Sequence, residues 1–292
     1  KQVVLNNENL IKIAEKYKIS ESDLVRRIGT AKEVLFKERS KRTHPATDDK
    51  ILTGWNALML KGYSDAYRVF DDPKFLDAAL KNAGFIIQRM KSGDGKLDRN
   101  YKNGKASVNG FLDDYAFTIE SFISLYQATF NEKWLQEAQN LTDYALKHFY
   151  DPCTGMFYYT SDLDPALIAR KMEIADNVIP SANSVIARDL FVLGVYFSND
   201  DYMKKSEKMI SNVKKDALRG GPNYANWDIL MAWFVNQPYD IAIVGDNYSA
   251  ILKEFNSHFL PNVFFSGGKV DKTKLLENKL IPGQPNNNFF HK

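Results

Sequence analysis

Four short segments of the 292-residue chain combine carboxylate, amide and aromatic side chains at the start of a long apolar stretch. Such side chains, gathered in one concave place, are what a polyhydroxylated ligand needs, because rings stack on its C–H faces and polar groups bond its hydroxyls. The pattern therefore points to sugar chemistry. The four segments are Thr47–Lys50 with Trp55–Asn56, Asn109–Tyr115, Asp176–Ser184 and Asn223–Asp228.

The acidic residues of these segments are the candidate acid/base groups. Glycoside hydrolysis needs paired carboxyls, one protonating the leaving oxygen and one activating water or the anomeric carbon. Asp49, Asp113 and Asp114 are the predicted catalytic residues. Sugar isomerisation or epimerisation instead uses a base near neutral pKa, commonly histidine. Only His44 adjoins one of the four segments. His148 comes late in a predicted outer helix, where a favourable interaction with the helix dipole is a simpler explanation for a histidine than catalysis.

The remaining polar and aromatic residues of the segments are candidate substrate contacts. Asp, Asn and Ser are also the favoured N-cap residues, so helix capping is the competing explanation for any single segment. Four segments of the same character favour a binding site. The predicted contacts are Trp55, Tyr115 and Trp227 for stacking, Asn56, Asn183 and Asn226 for hydroxyl groups, and Asp176 and Ser181 beside them, Asp176 being a further candidate carboxylate.

Hydrophobic spacing predicts helices of two alternating kinds. One kind is apolar on two sides and must be covered on both, whereas the next is apolar on one stripe and faces solvent. Short turns join the two into hairpins, so the repeated pair predicts an inner ring wrapped by an outer ring, an all-α α/α-toroid of the six-hairpin type. The predicted pairs are 52–70 with 75–90, 111–128 with 134–149, 185–197 with 202–217, and 224–235 with 248–259.

We expect one toroid domain over residues 1–292, with leading helices in 1–45, three hairpins and an inner helix in 46–236, and short strands and a last helix in 237–292. A stacked solenoid is the rival, but its repeats should be nearly equal in length, and these are not. Asn103-Gly104 predicts a tight turn between two short strands. Residues 239–244 and 263–265 are two further candidate strands.

Composition excludes several classes of protein. The formal net charge is +3, and basic residues are interleaved with acidic ones, which argues against a nucleic-acid partner. The sequence contains neither a membrane-length apolar run nor a signal-peptide pattern, so we expect a soluble protein without a membrane partner. The lone Cys153 fits a reducing compartment, and a cytoplasmic location is expected. Diphosphate-binding, zinc-protease, EF-hand and phosphate-loop motifs are missing, so no metal or cofactor is expected.

A set of motifs resembles the thioredoxin-domain-containing protein family that includes spermatogenesis-associated protein 20. The match follows the family order over nearly the whole chain, with Ala182 standing where glycine is usual. The motifs are Leu35–Arg39, Arg42, Pro45, Asp48–Leu52 and Trp55–Asn56, then Gly110–Phe117, then Asp176–Asn177, Pro180–Ser181 and Asn183–Ser184.

The resemblance implies a thioredoxin-like domain followed by a toroid similar to glycosidases and to N-acylglucosamine 2-epimerase. By the family pattern, this chain is expected to be a piece that lacks the thioredoxin-like part and the first toroid hairpins. Our leading hypothesis is a carbohydrate-active toroid, either an isomerase or epimerase or a glycosidase-like enzyme, with a small sugar-like ligand. The alternatives are a non-catalytic interaction scaffold attached to a redox domain, and an incomplete ring that truncation disables.

Overall fold

The computed structural model describes residues 7–165, 168–269 and 289–290, so His291 and the first six residues lie outside the described part. The chain divides into two compact units, Lys1–Asp49 and Lys50–Lys292. The first unit contains helices α1 (Asn7–Tyr17) and α2 (Glu21–Ser40). The Ser20 hydroxyl caps α2 by accepting a hydrogen bond from the Asp23 N–H at 3.1 Å.

The second unit is built from three helical hairpins and one further inner helix. Each inner helix packs against its own outer helix, and α3, α5, α7 and α9 pack side by side in that order. This arrangement confirms the predicted all-α, α/α-toroid fold class. The hairpins are α3 (Thr53–Phe70) with α4 (Pro73–Phe85), α5 (Leu112–Thr129) with α6 (Lys133–His148), and α7 (Ala182–Phe197) with α8 (Asp200–Gly220); α9 spans Ala225–Val235.

Left-handed residues end the inner helices and make the short turns possible. Asp71, Phe130 and Ser198 each have φ near +50°, which stops the helix and reverses the chain. The next helix then begins within three residues; for example, the Asn199 side chain accepts from the Asp201 N–H at 3.0 Å. The three predicted hairpin turns are therefore confirmed.

Contacts between α3 and α5 show that the inner helices run parallel. The Gly54 N–H meets Asp114 at the start of both helices, and Asp65 meets Ser124 about three turns further along both. The core lies around α5, which is buried over almost its whole length and includes the fully buried Phe117. Parallel packing places the starts of α3 and α5 side by side, as the sequence predicted.

Short strands occupy the connections between hairpins. Asn103 and Gly104 both have positive φ and form the predicted tight turn. A three-stranded antiparallel sheet results, in the order β1 (Ile51–Leu52), β2 (Asp98–Lys102) and β3 (Lys105–Asn109). A second pair follows α6, namely β4 (Tyr150–Asp151) with β5 (Met156–Phe157).

The predicted fourth hairpin is not formed. Helix α10 (Tyr248–Asn256) packs against the strands on either side of it and against α3, and it connects two parallel strands. The apolar stripe of α10 is therefore covered by a sheet. The strands are β6 (Tyr239–Val244) and β7 (Val263–Gly268), at the two predicted strand positions, with β8 (Phe289–Phe290) antiparallel to β6.

None of the helices in the described ranges combines the length and the apolar character needed to cross a membrane. The cytoplasmic location stays a prediction.

Candidate functional site

Arg99 joins two adjacent carboxylates at the start of α5. It lies on β2, and its Nη1 donates to Asp113 Oδ1 and to Asp114 Oδ2, both at 2.8 Å. Carboxylates in the first turn of a helix are stabilised by the helix dipole, so this pair is favoured at this place. The sheet that carries Arg99 also includes β1, which leads directly into α3. The strands thus position the guanidinium over the starts of two inner helices.

Asp114 is the buried member of the pair and is only 1% exposed. Its Oδ1 accepts from the Gly54 N–H at 2.9 Å, and its Oδ2 accepts from the Phe111 N–H at 3.0 Å. Burial and the negative charge of Asp113 raise the pKa of Asp114 to about 7, while Arg99 acts in the opposite direction. Asp114 therefore fixes the start of α5 to the start of α3.

Asp113 is the more accessible member, with 13% of its side chain exposed. The Tyr159 hydroxyl donates to Asp113 Oδ2 at 3.2 Å. Glu173 lies close enough to be affected by this carboxylate, because burial, and then the charge of Asp113, raise the pKa of Glu173. We name Arg99, Asp113, Asp114, Tyr159 and Glu173 the Arg99 cluster.

An aromatic wall supports the Arg99 cluster. The Arg99 guanidinium carbon lies 4.6 Å from the centre of the Phe111 ring, a cation–π contact. The Phe111 and Tyr159 ring centres are 5.1 Å apart. Arginine, tyrosine hydroxyl and carboxylates thus converge on one polar place with aromatic backing, and these are the groups that bind sugar hydroxyls.

Asp176 connects the starts of α7 and α9. Its Oδ1 accepts from the Ser181 N–H and from the Ser184 hydroxyl, both at 2.9 Å. Its Oδ2 accepts from the Asn226 N–H at 3.0 Å. The carboxylate is 9% exposed and both of its oxygens are used, so the structure assigns Asp176 a capping and bridging role.

Three other predicted contacts hold the segment that carries Glu173. Buried Asn183 donates to the carbonyls of Phe157 and Glu173, both at 2.9 Å. Ser181 and Trp227 each donate to the carbonyl of Ile174, at 2.8 Å. These side chains position the Glu173 segment, and the buried Trp227 ring presents no open face for stacking.

The other predicted residues take no part in the Arg99 cluster. Tyr115 is fully buried, with its hydroxyl accepting from the Leu97 N–H at 2.8 Å and its ring stacked on Tyr144. Trp55 is 66% exposed, and Asn56 donates to the carbonyl of Leu52, the residue just before its helix. Asp49 is an exposed residue of the first unit. Asn226 is half-buried and joins Asp176 through its backbone.

Sequence reasoning missed Arg99, Tyr159 and Glu173. All three lie in connections between helices, where hydrophobic periodicity does not indicate which way a side chain points. The Asn-Gly turn placed Arg99 in a hairpin, but only the pairing of β1 with β2 brings that hairpin over α3 and α5. Within the described residues, no three His, Cys, Asp or Glu side chains are grouped as a metal site needs.

A cavity of about 420 Å³ lies away from the Arg99 cluster, against the last turns of α6. His148 lines it, and His148 Nδ1 is 2.8 Å from the Asp162 carboxylate. The ring of His148 packs on Tyr144 with centres 4.4 Å apart. The cavity is therefore separate from the predicted acid/base residues.

Comparison with known proteins identifies longer relatives. No protein-family model matches the sequence. The chain is 28% identical to an uncharacterised protein of Caenorhabditis elegans over 289 residues, which is 89% of the chain and 38% of that protein. It is 32% identical to human spermatogenesis-associated protein 20 over 183 residues, which is 59% of the chain and 23% of the human protein. The resemblance predicted from the motifs is confirmed, and the chain spans well under half the length of these relatives.

A solved structure shares the fold. The GH76 α-mannanase of Bacteroides thetaiotaomicron aligns with a TM-score of 0.51 at 13% identity, covering 74% of this chain and 59% of the mannanase chain. At this identity the likeness concerns the α/α fold alone.

Proposed function

We propose that the Arg99 cluster binds a sugar or sugar derivative and carries out acid/base chemistry on it, as a sugar isomerase or epimerase or as a glycoside hydrolase. The observation that carries this proposal is the convergence of Arg99 and the Tyr159 hydroxyl on Asp113 at the start of an inner helix, with the Glu173 carboxyl near enough to be affected by the charge of Asp113. These groups offer both hydrogen-bond donors and acceptors to a polyhydroxylated ligand. The solved mannanase that shares the α/α fold acts on a carbohydrate, which is compatible with the proposal.

Asp113 and Glu173 supply the two proton-transfer roles. Asp113 accepts hydrogen bonds from Arg99 and Tyr159, and we assign it the role of base. Glu173 has a raised pKa, so it keeps a proton to higher pH than an ordinary glutamate and suits the acid. Two carboxyls whose environments differ in this way form an acid/base pair.

The other predicted residues act through position. Asp114 holds α5 against α3, while Asp176 and Asn183 hold the segment that carries Glu173. Exposed Trp55 is the predicted stacking residue that remains open to a ligand. Asp49 stays a predicted catalytic residue, and the thioredoxin-like domain of a longer protein stays a predicted partner.

A thermal-shift screen tests the proposal. The chain is mixed with monosaccharides, disaccharides, amino sugars and sugar phosphates, and bound ligand raises the melting temperature by mass action. We expect at least one sugar to raise it, and Asp113→Asn to abolish that rise while the protein stays folded. Asp77→Asn, which removes an exposed carboxylate on α4, is the matched control and should leave the rise unchanged. The absence of any rise would contradict the proposal and favour the scaffold alternative.

A further inference from the structure

A second set of charged residues lies two helical turns along α5 from Asp113. The residues of α5 that are not buried are Asp113, Glu120 and Thr129. Asp113 and Glu120 are seven residues apart, so they share one face of the helix and are separated by about 10.5 Å along its axis. We name the face of α5 that carries Asp113 and Glu120 the accessible strip. It presents one carboxylate at each of two levels along the helix axis.

Glu120 meets charged residues from both neighbouring inner helices. Arg188 of α7 is partly exposed between buried neighbours, and its Nη2 forms an ion pair with Glu120 Oε1. On α3, Lys61 pairs with Asp65 at 2.7 Å, and Asp65 Oδ1 accepts from the Ser124 hydroxyl of α5 at 2.9 Å. Three inner helices thus contribute to one polar place.

The two ion pairs are neighbours, because Ser124, which holds Asp65, lies one helical turn after Glu120 on α5. Burial opposes the charge on Lys61, yet the charges of Glu120 and Asp65 raise the pKa of its ammonium group. Asp189, which follows Arg188 on α7, has its pKa raised by burial and then by Glu120. We name Lys61, Asp65, Glu120, Arg188 and Asp189 the Glu120 cluster.

The Glu120 cluster contains polar atoms that the described residues do not satisfy. Asp189 is 2% exposed, and its Oδ2 has no hydrogen-bond partner within the described part of the chain. The buried Nε of the adjacent Arg188 is in the same state. Buried polar groups in folded proteins normally have partners, and those left without one often belong to functional sites. Both atoms are buried, so the groups that the cluster offers to a ligand are the partly exposed parts of Lys61, Glu120 and Arg188.

The charge balance of the cluster indicates the chemistry of its ligand. Lys61 and Arg188 are balanced by Asp65 and Glu120, and burial favours the neutral form of Asp189. Without excess positive charge the cluster offers little to a phosphate or carboxylate. Paired charges instead present donors and acceptors side by side, which matches hydroxyl groups.

We propose that the Glu120 cluster is a second sugar subsite, so that the ligand is a neutral saccharide of at least two rings with one ring at the Arg99 cluster and the next at the Glu120 cluster. This inference rests on the proposed function of the Arg99 cluster. The separation of the two levels, about 10.5 Å along α5, exceeds the length of one sugar ring and suits a disaccharide. A monosaccharide occupies only one level.

Calorimetric titration of the chain with matched sugars tests the inference. The probes are α- and β-linked disaccharides of glucose and mannose, the two monosaccharides, and their 6-phosphates. For the linkage that fits, we expect the disaccharide to bind at least about tenfold more tightly than its monosaccharide, a preference of about 1.4 kcal/mol. Glu120→Gln should remove this preference and leave monosaccharide binding unchanged.

Matched variants separate the loss of the second subsite from a general effect of the substitution. Glu137→Gln removes a half-buried, ion-paired glutamate on α6 and should leave the preference intact. If circular dichroism shows that Glu120→Gln is unfolded, Lys61→Gln is used in its place, because Lys61 is more exposed. Equal binding of mono- and disaccharides, or tighter binding of the 6-phosphates, would overturn the second subsite alone. Binding of none of the sugars would overturn the proposed function together with it.

Discussion

Asp113 and Asp114 are adjacent in the chain but occupy different environments. Asp114 is surrounded by the donors Gly54 N–H, Phe111 N–H and Arg99, whereas Asp113 reaches the accessible edge with Tyr159. The first organises the start of α5, and the second is partly exposed. The two carboxylates should therefore respond differently to the same substitution.

Asp114→Asn should destabilise the protein more than Asp113→Asn. An amide nitrogen cannot accept a hydrogen bond, whereas both carboxyl oxygens can, so asparagine at position 114 leaves a buried donor without its acceptor, and we expect a loss of about 3 kcal/mol in the free energy of unfolding. At position 113 the carboxylate is only partly buried, and a loss of about 1 kcal/mol is expected. Urea unfolding of the two variants measures the difference, and equal losses would show that Asp114 is not the organising residue.

The raised pKa of Asp114 gives a testable pH dependence. The folded-state pKa of about 7 exceeds the ordinary value of 3.8, so the folded protein holds a proton that the unfolded chain releases between these values. The stability contributed by this group is complete below about pH 4 and falls as the pH rises towards 7.

Carbon-13 NMR titration of the aspartate carboxyls measures that pKa directly. Asp113→Asn should lower the pKa of Asp114 because it removes a negative charge, and Arg99→Gln should raise it because it removes a positive one. A pKa near 4 in the unsubstituted protein, unmoved by either substitution, would contradict the assigned environment.

At the scale of elements, the close approach of α3 and α5 places Gly54 and Gly62 of α3 in opposite situations. A Cβ added at Gly54 would lie 3.1 Å from Asp114 Oδ1, while one added at Gly62 would meet open space. Hydrogen bonds from Arg99 and the Phe111 N–H hold Asp114 in place, so its side chain cannot move away from the added Cβ. Helix packing at this point therefore depends on glycine.

Alanine substitutions on α3 separate packing from helix propensity. Gly62→Ala should raise the free energy of unfolding by about 1 kcal/mol through helix propensity alone. Gly54→Ala should lower it by about 1 kcal/mol, because the added methyl crowds Asp114. Thermal unfolding compares the two variants, and stabilisation by both would show that α3 and α5 are further apart at this point than described.

Local sequence patterns predicted the helices and strands better than they predicted which of these elements pack against one another. Two-sided apolarity identified α5, and Asn103-Gly104 identified the β2–β3 turn, because both signals lie within a few residues. The pattern did not show that Tyr115 and Trp227 point into the core, since an aromatic residue beside polar ones packs equally well in either direction. Arg99 and Glu120 depend on which helices become neighbours, and no short-range pattern carries that information.

At the scale of the whole molecule, burial is concentrated in the second unit. Helix α5 is covered along nearly its full length, whereas residues 29–40 of α2 are exposed. Local opening is favoured where few apolar contacts are lost. The described part of the first unit should therefore open independently of the core.

Hydrogen exchange measured by mass spectrometry checks this division. Amides of α5 should exchange most slowly, close to the rate set by global unfolding, and those of α2 should exchange faster by orders of magnitude. Protection of α2 equal to that of α5 would show that the two units open together.

The two proposed subsites require that a sugar binds along the accessible strip of α5. The most direct measurement is a crystal structure of the chain with the disaccharide that gives the greatest rise in melting temperature. We expect one ring within hydrogen-bonding distance of Asp113 and Arg99 and the next beside Glu120. Density for the sugar elsewhere, for example in the cavity lined by Tyr144 and His148, with the Arg99 cluster unoccupied, would contradict it.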